Sequence, residues 1–429
     1  MNRPQPLVLP VAPSPPVRLN PGQRSQQLTR FRALMQRMVI GQPTAIEQVT
    51  NSFSRVLAGV GDPESPILSM MLMGPTGVGK TETVRSLAES LFGNRRAFTR
   101  INCQEYSAHY NLSKLLGSPP GYVGGEIKPL LSQDNLERHH KQAIEEGRGM
   151  FNENLARLNR FSPEEGKYVS LVCFDEIEKA HPKLWNLLLG ILEDGVLVLG
   201  NNDEVDFTRA IIVLTTNVGS RAMGEHLGNE SIGFTEMADD TGLDRDLRTS
   251  AMREAKKIFP FEFINRFDQL VTFDTLKEDH LFAILDNLVS NLHIRSIDCV
   301  EPFLLRVEQE AKAELVRQGT DPQFGARPLR RVVESEIVTS ISHLICSNQI
   351  QRGDLVSVDF VDGGFVFTKE DGIMTADEIS EFEALREERE RSRDLEGNDD
   401  GGEANRIVEE MEEVVAQSKT FTGDGMHDF

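Results

Sequence analysis

The sequence predicts an α/β fold: a parallel sheet with helices on both faces, followed by a small helical domain that closes with a β-hairpin. Three observations carry this. Short unbroken apolar runs, ILSMMLM at 67–73, SLVCF at 170–174 and AIIVL at 210–214, read as strands buried on both faces. Helical spacing falls between them, as in Val84, Leu87, Ala88 and Leu91 after Thr81. From about residue 275 the texture changes: Leu281, Ile284, Leu285 and Leu288 mark one helix, and Leu329, Val332, Val333, Ile337, Ile341 and Leu344 mark another. LVSVDFVDGGFVF then reads as a strand, a tight Asp-Gly-Gly turn and a second strand.

Taken in order, residues 1–26 form a proline-rich arm expected to be disordered, with proline breaking every apolar stretch, unlike an ordinary signal peptide. A short helix is expected over 27–38 and a second over 45–57, and GDPESP turns the chain into the first strand. The large domain is expected to span residues 27–274, the small domain 275–369 and an acidic, partly disordered tail 370–429. The tail holds 20 acidic and 6 basic residues, so it carries −14 of the chain's net charge of −21. A body this mildly acidic argues against bulk electrostatic binding of nucleic acid, although a local basic pore in an oligomer escapes that test. Cys103, Cys173, Cys299 and Cys346 are scattered with no CxxC pair, which fits a reducing compartment and no zinc site. No apolar run is long enough to span a bilayer. No membrane partner is expected, and the cytoplasm is the expected location.

Chemistry concentrates in three places. GPTGVGKT, Gly74, Pro75, Thr76, Gly77, Val78, Gly79, Lys80 and Thr81, fits G-x-x-x-x-G-K-[ST] between a predicted strand and a predicted helix. Glycines there let backbone N–H groups turn onto phosphate oxygens, and the helix N-terminus adds its positive end. Lys80 can reach the β- and γ-phosphates of ATP and Thr81 can ligate Mg2+. LVCFDEIEKAH places Asp175 and Glu176 at a strand end, the first suited to Mg2+ and the second to polarising water. IVLTTN ends a further strand at Asn217, which either faces the γ-phosphate and the attacking water or caps a turn.

Together with VIGQ (39–42), GSPPGYVG (117–124), TTNVGS, FPFEFINRFD and FGARPLRR, these boxes make the chain resemble the Clp family of AAA+ protein unfoldases. The likeness is to the second ATPase module of ClpA, ClpB and ClpC and runs from about Val39 to about Phe360. It implies an AAA+ ATPase domain with a helical lid and an ATP-hydrolysing homo-oligomer, a hexameric ring, that threads protein substrates through its pore. Val39 and Ile40 would line the adenine pocket, and Asn217 would be the sensor that orients water. Arg266 would be the arginine finger reaching a neighbouring subunit's nucleotide. Arg327 would contact phosphate from the small domain. Without the family, either arginine reads as a surface ion-pair partner. Tyr122 and Val123, in a breaker-rich loop, would grip the translocating polypeptide, since tyrosine offers a large contact surface at low entropic cost. The alternative for Tyr122 is packing into a neighbouring helix.

The chain also departs from the family. Residues 127–168 form a longer segment than the family's, of mixed charge and helical character. His139 and His140 within it read as a solvated helix face, not a metal site. One ATPase module is expected where the best-known relatives have two, which points to a dedicated substrate. Ile232, Gly233 and Phe234 match a tripeptide that docks on a peptidase ring in protease-associated members. Such a regulatory role is one alternative function; a nucleic-acid motor of the RuvB type and an ATP-regulated assembly scaffold are the others.

Overall fold

The computed structural model describes residues 20, 22–59, 61–117, 128–149, 167–218, 249, 251–297, 299–321 and 325–370. Tyr122, Val123, Ile232, Gly233, Phe234, most of the N-terminal arm and nearly all of the acidic tail lie outside them.

A five-stranded sheet, all parallel, organises the first part of the chain. Its strands are β1 (Leu68–Met73), β2 (Thr99–Asn102), β3 (Ser170–Asp175), β6 (Ala210–Thr216) and β7 (Gln269–Thr272), in the spatial order β2-β3-β6-β1-β7. The apolar runs are continuous because both faces are covered. Met70, Leu72, Leu171, Cys173, Ile211 and Val213 join one core with helices α1 (Gln26–Met38), α2 (Pro43–Ala58) and α3 (Lys80–Phe92). Their alternating neighbours Met71, Met73, Val172, Phe174, Ile212 and Leu214 face a second core against α6 (Pro182–Asp194). A short α4 (Ser113–Leu116) and a two-stranded ribbon of β4 (Val196–Val198) and β5 (Glu204–Asp206) flank this second face.

Helix α5 (Gln133–Glu145) lies within the stretch the sequence sets apart at 127–168. His140 does not lie on a solvated face. It is buried, its Nδ1 accepts the Val169 N–H at 2.8 Å, and its ring packs on Phe92 and edge-on to Tyr168. The apolar spacing of Leu136, His140 and Ala143 turns that side of the helix inward, and a charge-rich local composition hid it.

The small domain holds α8 (Glu278–Ile297), β8 (Leu304–Val307), α9 (Gln309–Gly319), α10 (Arg327–Val332), a π-helical stretch (Val333–Val338), α11 (Thr339–Cys346), β9 (Leu355–Val361) and β10 (Gly364–Glu370). A short α7 (Phe261–Asn265) precedes β7 in the large domain. The predicted hairpin turns at Asp362 and Gly363, both at positive φ, so the second glycine already belongs to β10. The hairpin is one part of a three-stranded sheet, because β8 pairs parallel with β9. The long apolar repeat at 329–344 forms one continuous helical path. Leu329, Val333, Ile337 and Ile341 recur every four residues, which overshoots a 3.6-residue turn, and the wider π turns keep them on the core.

The two parts meet at a buried seam. Gln42 donates from Nε2 to the Asp274 carbonyl and accepts the Asp274 N–H at Oε1, both at 2.9 Å and both buried. Gly41, at φ 75°, lies against the His280 ring, where a Cβ would collide.

Burial depresses the His140 pKa from its ordinary 6.5 to about 4. The unfolded chain therefore takes up that proton first, and stability from the neutral ring is lost as pH falls from about 6.5 to about 4. His140→Asn keeps an acceptor and does not titrate. The gap in Tm between wild type and this variant is expected to be widest above pH 7 and to shrink toward pH 4.5; a gap independent of pH contradicts this.

Candidate nucleotide-binding site

Three loops leave the carboxyl ends of neighbouring strands. The register pairs Met73 of β1 with Thr216 of β6, and Phe174 of β3 with Leu214 of β6. The glycine-rich loop after β1, the Asp175-Glu176 turn after β3 and Asn217 after β6 therefore open at one edge of the sheet, where open parallel sheets bind ligands.

Lys80 is the first residue of α3, with Gly79 at φ 108° as its cap. The buried ammonium donates to the carbonyls of Gly74 (2.7 Å) and Pro75 (2.5 Å) and to Asn217 Oδ1 (3.0 Å). Burial lowers its pKa to about 8, and the carboxylates of Glu178, Asp175 and Glu176 oppose that shift. Thr81 follows on the first turn of α3. Val39 is buried, and the Gly79 Cα faces its Cγ1, so a Cβ there would sit 3.4 Å from it. Ile40 beside it is half-buried.

Asp175 is held at both oxygens. Thr215 Oγ1 donates to Oδ1 at 2.6 Å, and the Arg100 guanidinium of β2 donates to Oδ2, its Nε at 3.1 Å. Thr215 Oγ1 also accepts the Glu176 N–H at 3.1 Å. Glu176 has φ 58° and ψ 54°, a left-handed conformation uncommon for a side chain of this size. Asn217 Nδ2 donates to Glu176 Oε1 at 3.1 Å, and Glu178 Oε1 accepts the Asn217 N–H at 3.1 Å. A single amide thus joins Lys80 to Glu176.

The small domain reaches the same place. A Cβ on Gly325 (φ 57°) would lie 2.8 Å from the Thr76 carbonyl oxygen, so the FGARP loop packs directly on the glycine-rich loop. Arg327 begins α10, and its charge contributes to lowering the Lys80 pKa.

Arg266 stands elsewhere. It follows α7 and pairs with Glu193 and, at 4.0 Å, Glu262. The Asp268 carboxylate accepts the Ser69 N–H and hydroxyl, both at 2.7 Å, at the starting end of β1. Arg266 is therefore at the end of the sheet opposite the glycine-rich loop, about 20 Å away for a six-residue strand.

Lys80, Thr81, Asp175, Glu176, Asn217 and the loop glycines are thus brought together, with Val39, Ile40 and Arg327 at the margin, and Arg266 is not. Sequence reasoning did not name Arg100, Thr215 or Glu178. Thr215 and Glu178 lie inside the quoted boxes, but nothing in the sequence marks Arg100. The donor set fits a polyphosphate: a buried ammonium, a helix N-terminus and turned glycines. Asp175 and Thr81 fit a hard cation beside it. Among the described residues no cluster of three or more His, Cys, Asp or Glu side chains forms a metal site, and no helix is long and apolar enough to cross a membrane.

Comparison with known proteins bears on the same segments. Residues 65–144 and 155–270 match the family profile described as AAA domain (Cdc48 subfamily). Residues 276–358 match the C-terminal, D2-small domain of ClpB protein. The chain is 35% identical over 342 residues to the negative regulator of genetic competence ClpC/MecB of Bacillus subtilis (strain 168), covering 80% of this chain and 38% of that protein. It is 35% identical over 345 residues to the chaperone protein ClpB of Aquifex aeolicus (strain VF5), covering 80% and 30%. It is 34% identical over 335 residues to the ATP-dependent Clp protease ATP-binding subunit ClpC of Staphylococcus saprophyticus subsp. saprophyticus, covering 78% and 37%. A closed-state cryo-electron-microscopy reconstruction of Hsp104 with ATPγS and FITC casein superposes with a TM-score of 0.60 at 26% identity, over 80% of this chain and 52% of that one. The chain spans less than two fifths of the length of these curated relatives. With its parallel sheet, its glycine-rich loop and a small domain of the D2 type, the chain belongs to the Clp family of AAA+ ATPases.

Proposed function

We propose that the chain hydrolyses ATP with Mg2+ and uses the energy to pull polypeptide through the pore of a homo-oligomeric ring, a hexamer, in the cytoplasm. The observation that carries this reading is the Asn217 amide held between the Lys80 ammonium and the Glu176 carboxylate. These residues are where a γ-phosphate and an attacking water have to meet.

In this reading Lys80 exchanges its carbonyl partners for phosphate oxygens, a trade of neutral acceptors for charged ones. Mg2+, when bound, offsets charge on the phosphates, with Thr81 and Asp175 as its protein ligands. Glu176 accepts a proton from water, and Asn217 fixes the direction of that acceptance. Val39 and Ile40 enclose the base, and Arg327 reports phosphate to the lid through the contact of Gly325 with Thr76. Arg266 is too distant to serve its own site and is solvent-accessible, which supports a finger offered to a neighbouring subunit in a ring. Tyr122 and Val123 grip the substrate.

A second reading, the regulatory subunit of a Clp-type protease, is favoured by the protease-subunit name of one relative. Docking would then run through Ile232, Gly233 and Phe234.

Glu176→Gln is expected to bind ATP normally and to release phosphate roughly 100-fold more slowly, or slower still. Undiminished turnover in a phosphate-release assay refutes Glu176 as the base. Tyr122→Ala is expected to reduce unfolding of a fluorescent protein substrate far more than it reduces phosphate release. Equal effects on both, or unimpaired unfolding, contradict the pore-loop role.

A further inference from the structure

Glu178 belongs to none of the roles above, yet it is built into the site. It sits on the short turn Ile177–Lys179 that follows Glu176. Its Oε1 accepts the backbone N–H of Asn217 at 3.1 Å, one residue past the last paired position of β6. The anchor point is therefore where the sheet stops fixing the chain. Its Oε2 is buried and, among the described residues, has no hydrogen-bond partner. A carboxylate with one oxygen left unpartnered is costly to bury, so its retained bond to Asn217 needs a reason.

The geometry supplies one. Asn217 must present Oδ1 to Lys80 and Nδ2 to Glu176 at once, at 3.0 and 3.1 Å. An asparagine side chain has two rotatable bonds, so its amide is only as well placed as its backbone. The backbone is tied to the Glu176 turn from two sides. Thr215 Oγ1 takes the Glu176 N–H, and Glu178 takes the Asn217 N–H. These crossed bonds lock the two loop ends together.

We infer that Glu178 is a positioning residue: by holding the Asn217 backbone against the Glu176 turn, it gives the site its ability to tell a nucleoside triphosphate from a diphosphate. This rests on the ATP-site reading of Lys80, Glu176 and Asn217. Removing the bond frees the Asn217 amide while leaving the glycine-rich loop, which binds the phosphates common to both nucleotides, intact.

The test is equilibrium binding of fluorescent ATPγS and ADP to the full chain, run beside phosphate release. Glu178→Ala is expected to lose about tenfold of the preference for ATPγS over ADP, the scale of a hydrogen bond to a charged acceptor, with ADP affinity within about twofold of wild type. Asn217→Ala should lose the same preference, and the double variant no more than either single one. Glu178→Gln keeps the acceptor and should retain the preference. It also serves where Glu178→Ala does not fold. An unchanged preference in Glu178→Ala, additive losses in the double variant, or a Gln variant that fails like Ala each overturn the proposal. The last would assign the role to charge beside Lys80 instead. A wild type that lacks the preference also overturns it. A wild type that keeps the preference but releases no phosphate overturns the ATPase reading and not this one.

Discussion

Strand β6 lies between β1 and β3, and their register determines everything the site can do. Lys80 arrives from one neighbour and Glu176 from the other, and Asn217, leaving β6 between them, touches both. Because β6 is buried on both faces, a one-residue slip would send Ile212 and Leu214 into the core that Ile211 and Val213 fill, and would carry Asn217 off its partners. The bulk hydrophobic packing of the sheet thus supports a few polar contacts at its edge. Glu176 completes the arrangement in a left-handed conformation that the surrounding bonds hold in place.

The second constraint is the seam between the two parts of the chain. Gln42 closes a pair of buried hydrogen bonds on Asp274, immediately before the small domain. His280 packs on Gly41, and Gly325 packs on the glycine-rich loop. The segment from Val39 to Gln42 is therefore both a wall of the site and the bearing on which the small domain is set. A change in what the glycine-rich loop holds acts on Gly325 at contact distance and on Arg327 through its charge, which gives the proposed hydrolysis a mechanical outlet.

Much of this was legible in the sequence where one residue type is physically required. The glycines of GPTGVGKT, the carboxylates ending an apolar run and the asparagine ending another announce themselves because few other residues can serve there. The unbroken apolar runs likewise reveal β1, β3 and β6. Strands β2, β7 and β8 were missed because each has four residues and no alternation strong enough to stand out. His140 was misread because the spacing of Leu136, His140 and Ala143 is masked by charged neighbours and its hydrogen-bond partner, Val169, lies 29 residues away. Arg100 and Glu178 were invisible because their partners too are distant in sequence. Charged residues on a strand and a turn usually face solvent, and only the assembled sheet brings them to Asp175 and Asn217.

In the proposed mechanism the Asn217 amide, by joining Lys80 to Glu176, makes the glycine-rich loop a hydrolytic site. Phosphate release by Asn217→Ala, at saturating ATP and Mg2+, is the decisive measurement. Turnover is expected at least about tenfold below wild type with ATP still bound, the scale of a lost hydrogen bond to a charged partner. Turnover equal to that of the wild type would contradict it.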